Sequence, residues 1–140
     1  MKKLTAKFYI GEDVKGRALV SKKPLSFLGG LNTETGTIID EEHDLFGQTV
    51  KGKILVYPFG KGSTGDCMRL WRAVHNGVGP VAIINTTPDP IHVEGALLAQ
   101  IPLLFGCEQD PTEIIQNGAY ITITAGVIHV RESVRAKAYR

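Results

Sequence analysis

The residues best suited to chemistry stand together in one short stretch, Gly60-Lys61-Gly62-Ser63-Thr64-Gly65. Ile54-Leu55-Val56-Tyr57 before them reads as a strand, ended by Pro58, which has no N–H to give a ladder. After them Cys67, Leu70, Trp71 and Val74 recur at i, i+3, i+4 and i+7, the apolar stripe of a helix. Asn76-Gly77 is the stop signal, with His75 in the last turn. A helix N-terminus leaves backbone N–H groups without partners and carries partial positive charge. Glycines let another group approach the backbone closely. With Lys61 as a mobile cation, Gly60, Lys61, Gly62 and Thr64 form a candidate cradle for phosphate or carboxylate. Ser63 adds a hydroxyl to the same field. The plainer reading is a turn in which Ser63, Thr64 or Asp66 serves only as the N-cap.

Other patterns carry less. The same glycines match G-x-G-x-x-G, but a dinucleotide site needs an acidic residue about 20 positions on. The next strand ends at Asn85, and Asp89 lies deeper in a proline-containing loop. Gly47 to Lys53 matches most of a phosphate-binding G-x-x-x-x-G-K loop. However, Ile54 stands where Ser or Thr would hold magnesium, and the stretch precedes a strand instead of following one. His43, His75, His92, His129, Cys67 and Cys107 are scattered without zinc spacing, so no metal site is expected on this chain. Of the histidines, His43 sits in a polar loop before the central strand and is kept as a candidate substrate contact.

Positioning such a loop requires a strand behind it and a helix after it. Lys53 to Ile84 reads as strand–helix–strand, which favours a parallel, right-handed crossover. Upstream, Thr5–Ile10, Val14–Ser21, Thr37–Ile39 and Val50–Tyr57 read as strands between turns. Downstream, His92–Gln100 reads as a helix, Ile101–Phe105 as a brief strand, and Asp110-Pro111 as the start of a short helix. Tyr120–Thr124 and Val127–Val130 alternate across Ala125-Gly126 as a hairpin. An α+β fold, a layered β/β/α domain around the strand–glycine loop–helix unit, satisfies both halves.

The 140 residues are read as one domain, 1–140, with a basic tail over 131–140 expected to fray. A net charge of +2 is too small to argue for nucleic acid or a membrane surface, and no apolar run reaches spanning length. No signal peptide is read at the N-terminus, and two separated cysteines fit a reduced, cytoplasmic chain.

Two longer runs, HDLFGQTVKGKILVYPFGKGST and PVAIINTTPDPIHVEGALLAQIPL, resemble the aconitase X family, in its small, swivelling domain. The resemblance covers about residues 5–130. Its most specific pieces are His43-x-Leu45-x-Gly47, Gly52-Lys53-Ile54-Leu55-Val56, Gly60-Lys61-Gly62-Ser63, and Gly95-Ala96 with Ile101-Pro102. It implies a swivelling β/β/α domain and a hydro-lyase assembled from two chains as a heterodimer. A large aconitase X subunit would carry an iron–sulfur cluster of the 4Fe-4S type, and no cofactor would be bound by this chain alone. It implies a small hydroxy-acid substrate, (R)-5-phosphomevalonate ahead of cis-3-hydroxy-L-proline, and a catalytic serine that maps onto Ser63. Asp66 departs from the expected pattern by placing a negative charge near an anion site. Readings of other classes are a phosphate- or nucleotide-binding module without chemistry, and a non-catalytic partner that only closes over another subunit.

Overall fold

The computed structural model describes residues 2–131, so the basic tail beyond Arg131 lies outside the described residues. In chain order the strands are β1 Lys2–Thr5, β2 Phe8–Ile10, β3 Val14–Val20 and β4 Ile54–Tyr57. Then follow α1 Gly65–His75, β5 Ala82–Asn85, α2 Pro90–Ala99, β6 Leu103–Phe105, α3 Pro111–Ile114, β7 Tyr120–Thr124 and β8 Val127–Arg131. They form one mixed sheet in the order β1-β8-β7-β3-β4-β5-β6-β2.

β3 joins two kinds of pairing. Its first half, Val14 to Arg17, runs antiparallel to β7, and its second half, Ala18 to Val20, runs parallel to β4. β4, β5 and β6 continue the parallel part through crossover helices, as the strand–helix–strand pattern requires. β1 and β2 are neighbours in the chain yet lie at opposite ends of the sheet order. Only Ala6 and Lys7 connect them, a span of roughly 10 Å at most. The sheet therefore curls into a half-barrel until its ends meet, with Ala6 N–H donating to Gly126 O at 2.9 Å and Lys7 N–H to Gly106 O at 3.2 Å.

Strand alternation sorts the core into two layers. Ile54, Val56, Ala82, Ile84 and Leu104 face Ile121, Ile123 and Ile128 inside the curl. Leu55, Tyr57, Ile83 and Leu103 face Leu70 and Ala73 of α1 and Ala96 of α2. β4 is buried on both sides, which is why its sequence is continuously apolar instead of alternating. The expected β/β/α layering results.

The helical layer is tight because Gly95 lies against α1. A Cβ there would stand 3.0 Å from the Cys67 Cα and 3.2 Å from the Leu70 Cδ2. Gly95→Val should force the helices apart and destabilise the chain by about 1–3 kcal/mol, read as a lower urea midpoint at unchanged slope.

Several expectations are corrected. The run Thr5–Ile10 is two strands, because the sheet's two ends take up its halves. Thr37 and Ile38 form only isolated bridges, to Thr49 and Leu31. β4 starts at Ile54, since Gly52 takes φ +69° and Lys53 N–H bonds back to Val50 O, making 50–53 a turn. The buried face of α1 is Asp66, Cys67, Leu70 and Ala73, rotated from the expected stripe, while Trp71 and Val74 are half-buried.

Candidate active site

The C-terminal end of β4 delivers the glycine loop to the edge of the parallel sheet. The loop is held on one side by residues that follow β3: Leu25 N–H donates to Phe59 O at 3.1 Å, and Lys61 N–H to Leu25 O at 3.1 Å. Lys61, Ser63 and Thr64 are exposed. Thr64 is the N-cap of α1 but its side chain makes no capping hydrogen bond, so the first-turn N–H groups are not closed off by it. Ser63 is exposed immediately before that N-cap and two residues after the exposed Lys61, at the positive end of α1. The structure brings Gly60, Lys61, Gly62, Ser63 and Thr64 into this one loop.

Beneath the loop lies a polar cluster the sequence reading did not assemble. Asp66 and His92 have no exposure, and His92 Nε2 stands 2.7 Å from Asp66 Oδ2. Asp66 also accepts from Phe27 N–H and Leu28 N–H, both at 2.8 Å, and from Ser26 Oγ at 3.3 Å. The other ring nitrogen, His92 Nδ1, is 2.6 Å from the Tyr57 hydroxyl. A phenol donating to Nδ1 leaves the ring proton on Nε2, directed at the carboxylate. Phe27 stacks on the imidazole at 4.5 Å. Burial pushes the Tyr57 phenol above its ordinary range, keeping it a neutral donor.

This cluster accounts for two of the glycines. A Cβ on Gly60 would stand 2.5 Å from His92 Nδ1, and a Cβ on Gly62 would overlap the Asp66 carboxylate. They are glycines because the loop backbone lies directly on the buried pair. Asp66 also loses its apparent conflict with an anion site, since its charge is turned inward onto donors. Asp66, Leu70 and Ala73 fall at i, i+4 and i+7, so its place on a buried face was the available signal.

Burial alone would raise the Asp66 carboxyl, but hydrogen bonds from His92, Phe27 and Leu28 outweigh it and hold the pKa below the ordinary value. A carboxyl depressed in the folded state stabilises fully above its unfolded value, near 4, and loses that contribution as pH falls through the folded value. The urea midpoint of the wild type should therefore fall below about pH 4, and Asp66→Asn should show a shallower acid limb.

His43 is buried and lies one step from the loop. Its Nδ1 accepts from Leu45 N–H at 3.1 Å and its Nε2 meets Pro24 O at 3.1 Å. Pro24 precedes Leu25, whose carbonyl holds Lys61. A cleft of about 530 Å³ lined by residues such as Gly11, Val14, Gln100 and Pro102 lies at the opposite, N-terminal end of the parallel strands, away from Ser63.

The family model for the aconitase X swivel domain matches residues 3–130. The chain belongs to the aconitase X swivel-domain family. Phosphomevalonate dehydratase small subunits are similar to this swivel domain. That of Methanocella arvoryzae is 43% identical over 86% of this chain and 92% of its own. That of Thermococcus sibiricus is 42% identical over 93% and 99%. Among solved structures, holo-form aconitase X of Thermococcus kodakaraensis superimposes with a TM-score of 0.88 at 35% identity, covering 94% of this chain and all of that one (100%).

The swivel domain's own donors do not fit an iron–sulfur cluster. Cys67 lies in the helical layer with its Sγ on Thr64 O, whereas Cys107 packs against the core inside the curled sheet. Among the described residues no group of three or more His, Cys, Asp or Glu stands together to hold a metal, and no helix is long and apolar enough to cross a membrane.

Proposed function

We propose that this swivel domain is the small subunit of a two-chain dehydratase acting on phosphomevalonate, and that Ser63 is its base. The observation that carries the proposal is the exposed Ser63 hydroxyl at the open N-terminus of α1, in a chain whose relatives are named phosphomevalonate dehydratase small subunits. That name implies a larger partner subunit, and the swivel domain's loop supplies the face that partner completes.

Dehydration of a β-hydroxy acid requires removal of a carbon-bound proton and departure of a hydroxyl. A serine hydroxyl is a poor base unless its alkoxide is stabilised. Here the α1 N-terminus and Lys61 supply that field, the helix end without reorganising when charge develops and Lys61 as a movable charge. The loop around Gly60, Gly62 and Thr64 is read as the receiver of the substrate's phosphate or carboxylate, and His43 supports the segment behind it. The iron–sulfur cluster expected of the family belongs to the larger subunit, to which departure of the hydroxyl is assigned. A heterodimer is the proposed working form, and the cytoplasm its proposed compartment.

Co-expression with the large subunit and assay of the purified pair tests this reading. The pair should dehydrate phosphomevalonate, and each chain alone should not. Turnover of cis-3-hydroxy-L-proline in its place would move the substrate assignment. Phosphate or nucleotide binding without any partner would favour a simple binding module.

A further inference from the structure

The buried pair under the loop is not an economical way to join two helices. Removing a carboxylate and an imidazole from water is costly, and apolar residues of similar size often hold such a site at least as well. The Gly95 contact already brings α1 and α2 together. What distinguishes the pair is what it touches. Asp66 holds Phe27 and Leu28 by their N–H groups. His92 supports Gly60 from below, stacks on Phe27, and is oriented by Tyr57 at the end of β4. Gly62 rests on Asp66, and Asp66 N–H bonds back to Ser63 O at 2.9 Å. Each segment that frames Ser63 therefore meets this pair.

We propose that Asp66 and His92 are positioning residues for Ser63, a buried platform that fixes the height and direction of the loop bearing it. The inference rests on the reading of Ser63 as base. Tyr57 completes the platform by occupying His92 Nδ1, so the imidazole has one hydrogen-bonding orientation. The donors on Asp66 come from two directions, Ser26–Leu28 and His92, which leaves the carboxylate little freedom to shift. A loop laid on such a surface is pre-organised before substrate arrives.

Steady-state kinetics of the assembled two-chain complex on phosphomevalonate test this, with wild type, Asp66→Asn, Tyr57→Phe, Ser63→Ala and the double variant Ser63→Ala/Asp66→Asn. Asp66→Asn keeps the shape but sets an amide N–H against a backbone or imidazole donor. It should lower kcat by about 100-fold, the cost of a displacement near 1 Å, while KM stays within about threefold. Tyr57→Phe keeps the fold and should lower kcat by roughly fivefold. On the Ser63→Ala background Asp66→Asn should change the residual rate by less than about twofold, because its effect passes through Ser63. Equal losses on both backgrounds, a loss confined to KM, or unchanged kcat in both single platform variants would overturn the proposal. If the Ser63→Ala rate is too low to measure, amide exchange of the complex reads the same point. Residues 58–66 should exchange faster in Asp66→Asn with β4 and β5 unchanged, and a chain-wide rise would overturn it. An inactive Ser63→Ala beside a normal Asp66→Asn rejects the platform alone, whereas a fully active Ser63→Ala rejects the reading of Ser63.

Discussion

Ser63→Ala should leave the two-chain complex intact and lower its turnover by about 10²- to 10⁴-fold, the range in which a positioned acid or base contributes. Ser63 is exposed, so its hydroxyl can be removed without opening a cavity in the core. The cap of α1 does not depend on it either, because the N-cap is Thr64 and even that side chain makes no capping bond. Stability should therefore change by no more than about 0.5 kcal/mol, as for other surface substitutions. The expected signature is a fall in kcat with KM near its wild-type value, since the hydroxyl is needed for proton transfer more than for binding. Turnover within a few-fold of wild type would remove Ser63 from the chemistry.

Gly62→Ala should be the second severe change, though it deletes no functional group. The new methyl would overlap the Asp66 carboxylate. That carboxylate cannot retreat without giving up Phe27, Leu28 or His92. The loop must lift instead, and Ser63, the next residue, moves with it. A shift on the order of 1 Å is enough to lower turnover by about 100-fold. Thermal unfolding of the chain and kcat of the complex, measured together, check the expectation. Activity within twofold of wild type would mean that the loop and the pair beneath it are not in firm contact.

Residues with local signals were legible in the sequence. Asp110-Pro111 starts α3 with the Asp110 side chain accepting from Thr112 N–H. Ala125 and Gly126 both take positive φ, as the hairpin between β7 and β8 needs. The helix after the glycine loop begins and ends where its punctuation places it, with Gly77 at φ +77°. What the sequence hid was non-local. Tyr57 sat in an apolar strand run, Asp66 among cap candidates and His92 in a helix pattern, and nothing in spacing joins them. Their meeting depends on two parallel crossovers that stack α1 and α2 on one sheet face. The glycines were read as room for a ligand; at Gly60 and Gly62 the side a Cβ would occupy is filled by the protein's own buried side chains, a second reason for glycine there. The split of Thr5–Ile10 had the same origin, because strand pairing at the sheet's far ends, and not local pattern, divides it.

Proton transfer at the substrate carbon is the step this account assigns to Ser63, and isotope exchange observes it directly. The complex, equilibrated with substrate and product in deuterated water, should place deuterium at the carbon next to the carboxylate, followed by NMR. Rapid incorporation is expected of the wild type and almost none of assembled Ser63→Ala. Incorporation at the wild-type rate by that variant would show that another group moves the proton.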